Sequence, residues 1–215
     1  MWYRFRQIAR SRSFVAAVTT LWLAAIGWGL ALSIDHDARP SSPSTPPPVW
    51  PPGSTVARTA KRATLLMFVH PYCPCTRASI AELARVLEQT AEPVSTHILF
   101  IKPDKDKLSI PDDSESWNLA REIPGADLRW DDDSREAKLF QAKTSGQILL
   151  YDARGRLTFK GGITASRGHA GPSRSSELLT GILQSAETSG TEAPVFGCSL
   201  FSPARECCNK RELEQ

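Results

Sequence analysis

The sequence predicts an α/β domain, a central mixed sheet flanked by helices, preceded by one transmembrane helix and a proline-rich linker. Three observations predict it. Residues 14–34 carry no charge. Prolines crowd residues 39–54. From residue 58 onward, short apolar runs of strand length alternate with stretches of helical period. At 215 residues the chain is long enough for one good-sized core.

The uncharged stretch 14–34 would rise about 32 Å as a helix, enough to span a hydrocarbon core of roughly 30 Å. Trp22 and Trp28 lie inside this span, whereas Trp2 and Tyr3 suit the near interface. Arg4, Arg6, Arg10 and Arg12 precede the first acidic residue, Asp35, and predict that residues 1–13 stay in the cytoplasm. A cleaved signal peptide is the competing reading, but its apolar region is usually only about 7–15 residues long. An uncleaved anchor is therefore expected. It implies a single-pass protein of the bacterial inner (cytoplasmic) membrane, with its C-terminal domain in the periplasm. Residues 35–57 then read as a linker, because their proline density favours extended polyproline II and suits a semi-rigid spacer.

Residues 58–188 form the predicted domain. Its first strand is the apolar run 63–69. Ile80, Leu83, Ala84 and Leu87 follow at the i, i+3, i+4, i+7 spacing of an amphipathic helix, on which Glu82, Arg85 and Glu88 read as an exposed face. Residues 94–101 read as a second buried strand, with His97 as a packed core residue, and 102–113 as a polar loop. A short helix is expected over 114–122, N-capped by Ser114. A strand over 127–130 and a helix over 134–143 come next. Asp131, Asp132 and Asp133 lack the spaced ligands and glycine of a calcium loop, and read as a solvated turn capping that helix. A hairpin, 147–151 and 156–160, turns at 152–155. After the glycine-rich stretch 161–171, a last helix covers 175–186. Residues 189–215 are a cysteine-containing tail.

The chemistry concentrates at His70-Pro71-Tyr72-Cys73-Pro74-Cys75, where the first strand gives way to the first helix of the domain. The positive end of a helix dipole and its unpaired N–H groups favour a thiolate over a thiol. Proline suits the first helical position, which makes Pro74 N1, Cys73 the N-cap and Cys75 N2. Cys73 is therefore expected to be the attacking sulfur and Cys75 its partner, with Arg77 helping to hold the thiolate. Two small buried thiols ending a strand are the bland alternative.

The order of elements resembles the thioredoxin-like superfamily over roughly 58–186. The motifs H-P-Y-C-P-C-T-R-A-S (70–79), T-S-G-Q-I-L-L-Y-D (144–152), G-G-I-T-A-S-R-G-H-A-G (161–171) and V-F-G-C-S-L-F (195–201) further resemble the membrane-anchored bacterial proteins of RedB type. Two departures stand out. Thioredoxins carry C-x-x-C where this chain has C-x-C, and they place a cis-proline where it has Thr144-Ser145-Gly146. The resemblance implies that this loop lies opposite the cysteines. Gly146 would then allow close approach, and Thr144 or Ser145 would donate to a sulfur. It also implies that Gly161 and Gly162 keep space beside the disulfide.

The reading that follows is a thiol–disulfide oxidoreductase without a cofactor. Its partners are protein thiols and disulfides, together with a membrane or extracytoplasmic redox protein that supplies or takes electrons. A Cu(I)-binding chaperone is the alternative, with Cys73, Cys75, His70 and His169 as ligands; thioredoxin-like copper chaperones of Sco type use two cysteines and a downstream histidine. A redox-inactive binding scaffold is the third reading. Cys198 is expected to form a structural disulfide with Cys207 or Cys208, worth roughly 2.5–3 kcal/mol in the chain-entropy model; the sharper alternative is that the tail reaches Cys73 and shuttles electrons. The formal net charge is +3, but without the four N-terminal arginines the chain is close to neutral. No basic stripe with interleaved aromatics appears, so a nucleic-acid partner is not expected.

Overall fold

The structure is a computed structural model that describes residues 2–59, 61–90, 93–102, 114–185 and 190–201, with backbone alone for 2–12. It divides into two units, residues 1–39 and 40–215.

The first unit is helix α1 (Trp2–Ala38). Its stretch Ser13–Ala38 is long and apolar enough to cross a membrane. Phe14, Leu21, Trp22, Trp28 and Leu30 are all exposed on it. A helix apolar on every side, with no partner face of its own, is suited to a lipid environment.

The second unit is built on a sheet of six strands in the order β3-β2-β1-β4-β5-β6. These are β1 (Thr64–Val69), β2 (Ser95–Ile101), β3 (Asp127–Asp131), β4 (Gln147–Tyr151), β5 (Leu157–Gly161) and β6 (Thr191–Glu192). β1 runs parallel to β2 and antiparallel to β4. β2 and β3 are parallel, and β4 and β5 form the expected hairpin. The helices are α2 (Cys75–Glu88), α3 (Glu115–Arg121), α4 (Arg135–Leu139) and α5 (Arg174–Ser185).

β1 is buried on both faces because its side chains alternate between two cores. Leu65, Met67 and Val69 meet Ile80, Leu83 and Val86 of α2, Trp117 of α3, and Leu179 and Leu183 of α5. Leu66 and Phe68 face the other way, into a cluster with Leu99, Phe140, Leu149, Tyr151 and Leu200. Ser114 caps α3 as expected, its side chain accepting from the Trp117 N–H. Asp131 caps α4, accepting from the N–H groups of Glu136 and Ala137 at 2.8 Å each, but it is buried rather than solvated. α4 is shorter than the helix expected over 134–143. Ser134, just before it, has positive φ, and so does Gln141 just beyond it, so regular helix does not continue at either end. His97 is packed and hydrogen-bonded, its ring between Asp127 Oδ2 at 2.9 Å and Ser95 Oγ at 3.2 Å. Glu82 corrects the expected exposed face: it is 1 % exposed and pairs with Arg85 at 3.2 Å. The loop expected over 102–113 lies mostly outside the described residues.

The proline-rich segment also differs from expectation. From residue 41 on it lies along the domain rather than standing off as a spacer. Tyr151 Oη donates to the Pro47 carbonyl at 2.9 Å, and the Leu157 N–H to the Pro48 carbonyl at 2.9 Å. Val49 bridges Arg156 antiparallel, and Glu136 accepts from Ser54 Oγ and from the Thr55 N–H and hydroxyl. Trp50 sits edge-on to Phe140 and Tyr151, with ring centroids at 5.0 and 5.2 Å. Extended backbone with few N–H groups is well suited to lie flat on a sheet face, its carbonyls accepting and its side chains filling gaps. Trp50→Ala is expected to destabilise the domain by about 2–3 kcal/mol in chemical denaturation. A free spacer would show no change.

Candidate functional site

β1 ends at Val69 and the chain turns twice before α2 begins. The Cys73 N–H donates to the His70 carbonyl at 3.0 Å, and the Thr76 N–H to the Cys73 carbonyl at 3.1 Å. Pro74 has helical dihedrals (φ −63°, ψ −29°), with regular helix from Cys75. The C-x-C pair therefore stands at the start of α2, within a residue of the expected boundary. Cys73 is buried and Cys75 half-buried.

The loop 144–146 does lie against this turn. The His70 N–H donates to Ser145 Oγ at 2.8 Å, and Ser145 Oγ lies 2.6 Å from Thr76 Oγ1. Gly146 holds the loop to β1 through its N–H, 2.8 Å from the Phe68 carbonyl. Its φ is +85°, and a Cβ there would meet Ser79 Oγ at 2.8 Å, so a glycine fits best. No cis peptide bond is present among the described residues.

The remaining wall of the site comes from the C-terminal segment. Residues 198–200 add to the 143–145 edge like a short strand. Thr144 bridges Ser199 antiparallel, the Ser145 N–H donates to the Cys198 carbonyl at 2.8 Å, and the Leu200 N–H to the Lys143 carbonyl at 2.8 Å. Close approach depends on Gly197, where a Cβ would sit 2.1 Å from the Ser145 carbonyl oxygen. This pairing puts the half-buried Cys198 thiol against Cys73 and Cys75. The three are thiols, with no disulfide among them. Cys207 and Cys208, the expected partners of Cys198, lie outside the described residues.

Within this cluster Cys73 is the sulfur whose thiol is shifted down. Its pKa lies far below the ordinary thiol range, first because the Cys198 side chain donates to it, and then because Cys75 does. Burial opposes them; the Thr76 hydroxyl and the Cys198 backbone N–H add to them. The hydroxyl chain has a direction. Thr76 spends its one proton on Cys73, so Ser145 must be the donor in the 2.6 Å contact, while Ser145 accepts from His70. The Cys75 thiol is shifted up. Contact with the Cys198 side chain pulls it down, but the hydrogen bond to Cys73, burial and the Cys73 charge outweigh that.

His70 is fully buried, and burial lowers its pKa against the opposing charge of Cys73. A neutral ring supports the turn, Nδ1 accepting from the Tyr72 N–H at 3.3 Å. Arg77 does not hold the thiolate: it pairs with the exposed Glu115. The cation whose charge reaches the pair is Arg167, which acts on Cys75 and donates to the Gly197 carbonyl. Gly161 and Gly162 make room for the incoming C-terminal segment; Cβ atoms there would sit 2.5 Å from the Ala193 carbonyl oxygen and 2.9 Å from that of Pro194. His169 is exposed. Among the described residues no group of three or more His, Cys, Asp or Glu side chains is arranged to hold a metal ion. Sequence reasoning missed Thr76 and Arg167 at this site, and placed Cys198 here only as the alternative to a disulfide within the tail. The signal available for Cys198 was its place in a G-C-S motif of its own.

Solved structures of similar architecture set this site in context. The chain is similar to an uncharacterised conserved protein from Geobacillus kaustophilus, with TM-score 0.54 and 20 % identity over 77 % of this chain and 93 % of that one. It is similar to a hypothetical protein from Sinorhizobium meliloti 1021, with TM-score 0.51 and 19 % identity over 76 % and 99 %. A secreted Mycobacterium tuberculosis disulfide oxidoreductase homologous to E. coli DsbE is more distant, with TM-score 0.40 and 17 % identity over 60 % and 84 %. The first two share with this chain the architecture of a mixed sheet flanked by helices. At such identities the likeness speaks to fold alone. No family model and no curated protein matches the chain.

A thiolate held this way ties stability to pH. Below the ordinary thiol pKa of about 8.5, the unfolded chain keeps a proton that folded Cys73 has released, so stability rises with pH up to that value and levels off above it. In reduced protein, the stability gap between the native chain and Cys73→Ser is therefore expected to widen from pH 5 to pH 8.5 in urea titrations. A gap independent of pH would mean that Cys73 is protonated in the fold.

Proposed function

We propose that the protein is a membrane-anchored thiol–disulfide oxidoreductase acting outside the cytoplasm through Cys73 and Cys75, and that it is of RedB type. The observation carrying this reading is the buried Cys73 sulfur ringed by donors beside a second thiol, at the start of a helix. A thiolate is the nucleophile of disulfide exchange. In the oxidising direction a target thiolate attacks Cys73 Sγ of the Cys73–Cys75 disulfide and Cys75 leaves as thiolate. A second target thiolate then displaces Cys73, which leaves as the stabilised thiolate and releases an oxidised target; in reverse, Cys73 attacks a target disulfide and Cys75 resolves it. Thr76, Ser145 and the Cys198 N–H position and stabilise the attacking sulfur. The apolar helix Ser13–Ala38 and the arginines ahead of it support a periplasmic domain on a single-pass inner-membrane anchor. The four cysteine- and glycine-bearing motifs support the RedB assignment.

The donors around Cys73 support an oxidising direction of electron flow. Every donor to the Cys73 thiolate stabilises the reduced form, and a stabilised reduced form makes a dithiol pair more oxidising. Glutathione-buffered titration of the full chain, read by thiol-trapping mass spectrometry, is expected to show a reversible two-electron transition joining Cys73 and Cys75. Its potential should lie at or above about −180 mV. A value near −270 mV would make the protein a reductant instead. Thiols that never pair would remove the exchange reading and leave Cu(I) binding in the lead.

A further inference from the structure

We propose that Cys198 is a third redox thiol of the site, one that exchanges with Cys73 to form an internal Cys73–Cys198 disulfide. The inference rests on the exchange reading and adds a residue that neither the C-x-C motif nor the fold supplies.

Three observations carry it. The C-terminal segment is built into the site rather than lying across it by chance. Strand pairing at 143–145, the Arg167 contact to the Gly197 carbonyl, and the Ser41 hydroxyl at 2.8 Å from the same carbonyl all hold it. Glycines at 161, 162 and 197 clear its path, each where a Cβ would run into backbone. Second, the Cys198 side chain donates to Cys73, the contact from which thiol and thiolate become a disulfide once two electrons are removed. Third, Cys73 is only 1 % exposed with this segment seated, whereas Cys198 is half-buried. The buried Cys73 is thus covered by the strand that carries the more exposed Cys198.

Two balanced steps follow. In oxidised protein, Cys198 loses its proton and attacks Cys73 Sγ; the Cys73–Cys198 bond forms, Cys73–Cys75 breaks, and Cys75 leaves as the thiolate that takes up the proton. No outside reagent is consumed. With a glutathione-type disulfide as oxidant, the Cys73 thiolate and the Cys198 thiol become one disulfide. The oxidant takes both electrons and leaves as one thiol and one thiolate.

The test uses the full chain in detergent carrying Cys75→Ser, Cys207→Ser and Cys208→Ser, so that only Cys73 and Cys198 remain. After incubation with oxidised glutathione, acid quenching and peptide mapping, the expected product is an internal Cys73–Cys198 disulfide without bound glutathione. Adding Cys198→Ser should convert this product to a lasting glutathione adduct on Cys73. A lasting adduct on Cys73 while both are present, with no internal link, overturns the role of Cys198 and leaves exchange at Cys73 standing; an adduct on Cys198 alone overturns both. If neither thiol reacts, both readings fall. The native chain provides a second measurement that no substitution can disturb: across the same glutathione series its oxidised fraction should contain Cys73–Cys198 beside Cys73–Cys75. Cys198 recovered as a thiol at every ratio would overturn the proposal.

Discussion

A charge taken out of water costs several kcal/mol unless donors replace the solvent it loses. Cys73 is 1 % exposed, and the donors to its sulfur come from widely separated parts of the chain: Cys75 and Thr76 from the start of α2, and the side chain and N–H of Cys198 from the C-terminal segment. The rest of the domain can be understood as what brings these groups to one point. β1 delivers the turn and α2 supplies the neighbouring donors. The 144–146 loop orients Thr76 through Ser145 and offers the edge on which Cys198 arrives.

The same requirement accounts for the thick covering of the second sheet face. That face lacks the long helices of the first; its cover is the short α4, the proline-rich segment and Leu200. The proline-rich segment and the C-terminal segment meet through Ser41 and Gly197. Chain on the N-terminal side of the fold therefore steadies the piece that carries Cys198. A segment serving only as a spacer would have no reason to place Ser44 2.6 Å from Gln147 Nε2, at the end of β4 next to the 144–146 loop.

Most of the sheet and the larger helices were legible because their signal is local. Alternation and helical period announce a buried strand or an amphipathic face within a few residues. The C-x-C pair was legible for the same reason, standing where one period gives way to the other. Apart from the length of α4, the failures concern long-range contact. Composition identified an extended proline-rich segment but not the surface it rests on, although Trp50 and Val56 hinted at burial. Proximity in sequence favoured Arg77, one turn along α2, whereas the fold brings up Arg167. Spacing favoured a tail neighbour for Cys198 and kept contact with Cys73 as the alternative; strand addition at 143–145 carries it to Cys73, while Cys207 and Cys208 lie outside the described residues. Glu82 was read from its charge, but its place on α2 decides its burial.

The central claim is that reduced Cys73 is a thiolate in the folded protein. It is tested most directly by following ultraviolet thiolate absorbance with pH in the reduced full chain, using Cys73→Ser to identify the step. The account predicts that the Cys73 step lies well below the ordinary thiol value of about 8.5. A Cys73 step at or above that value would contradict it.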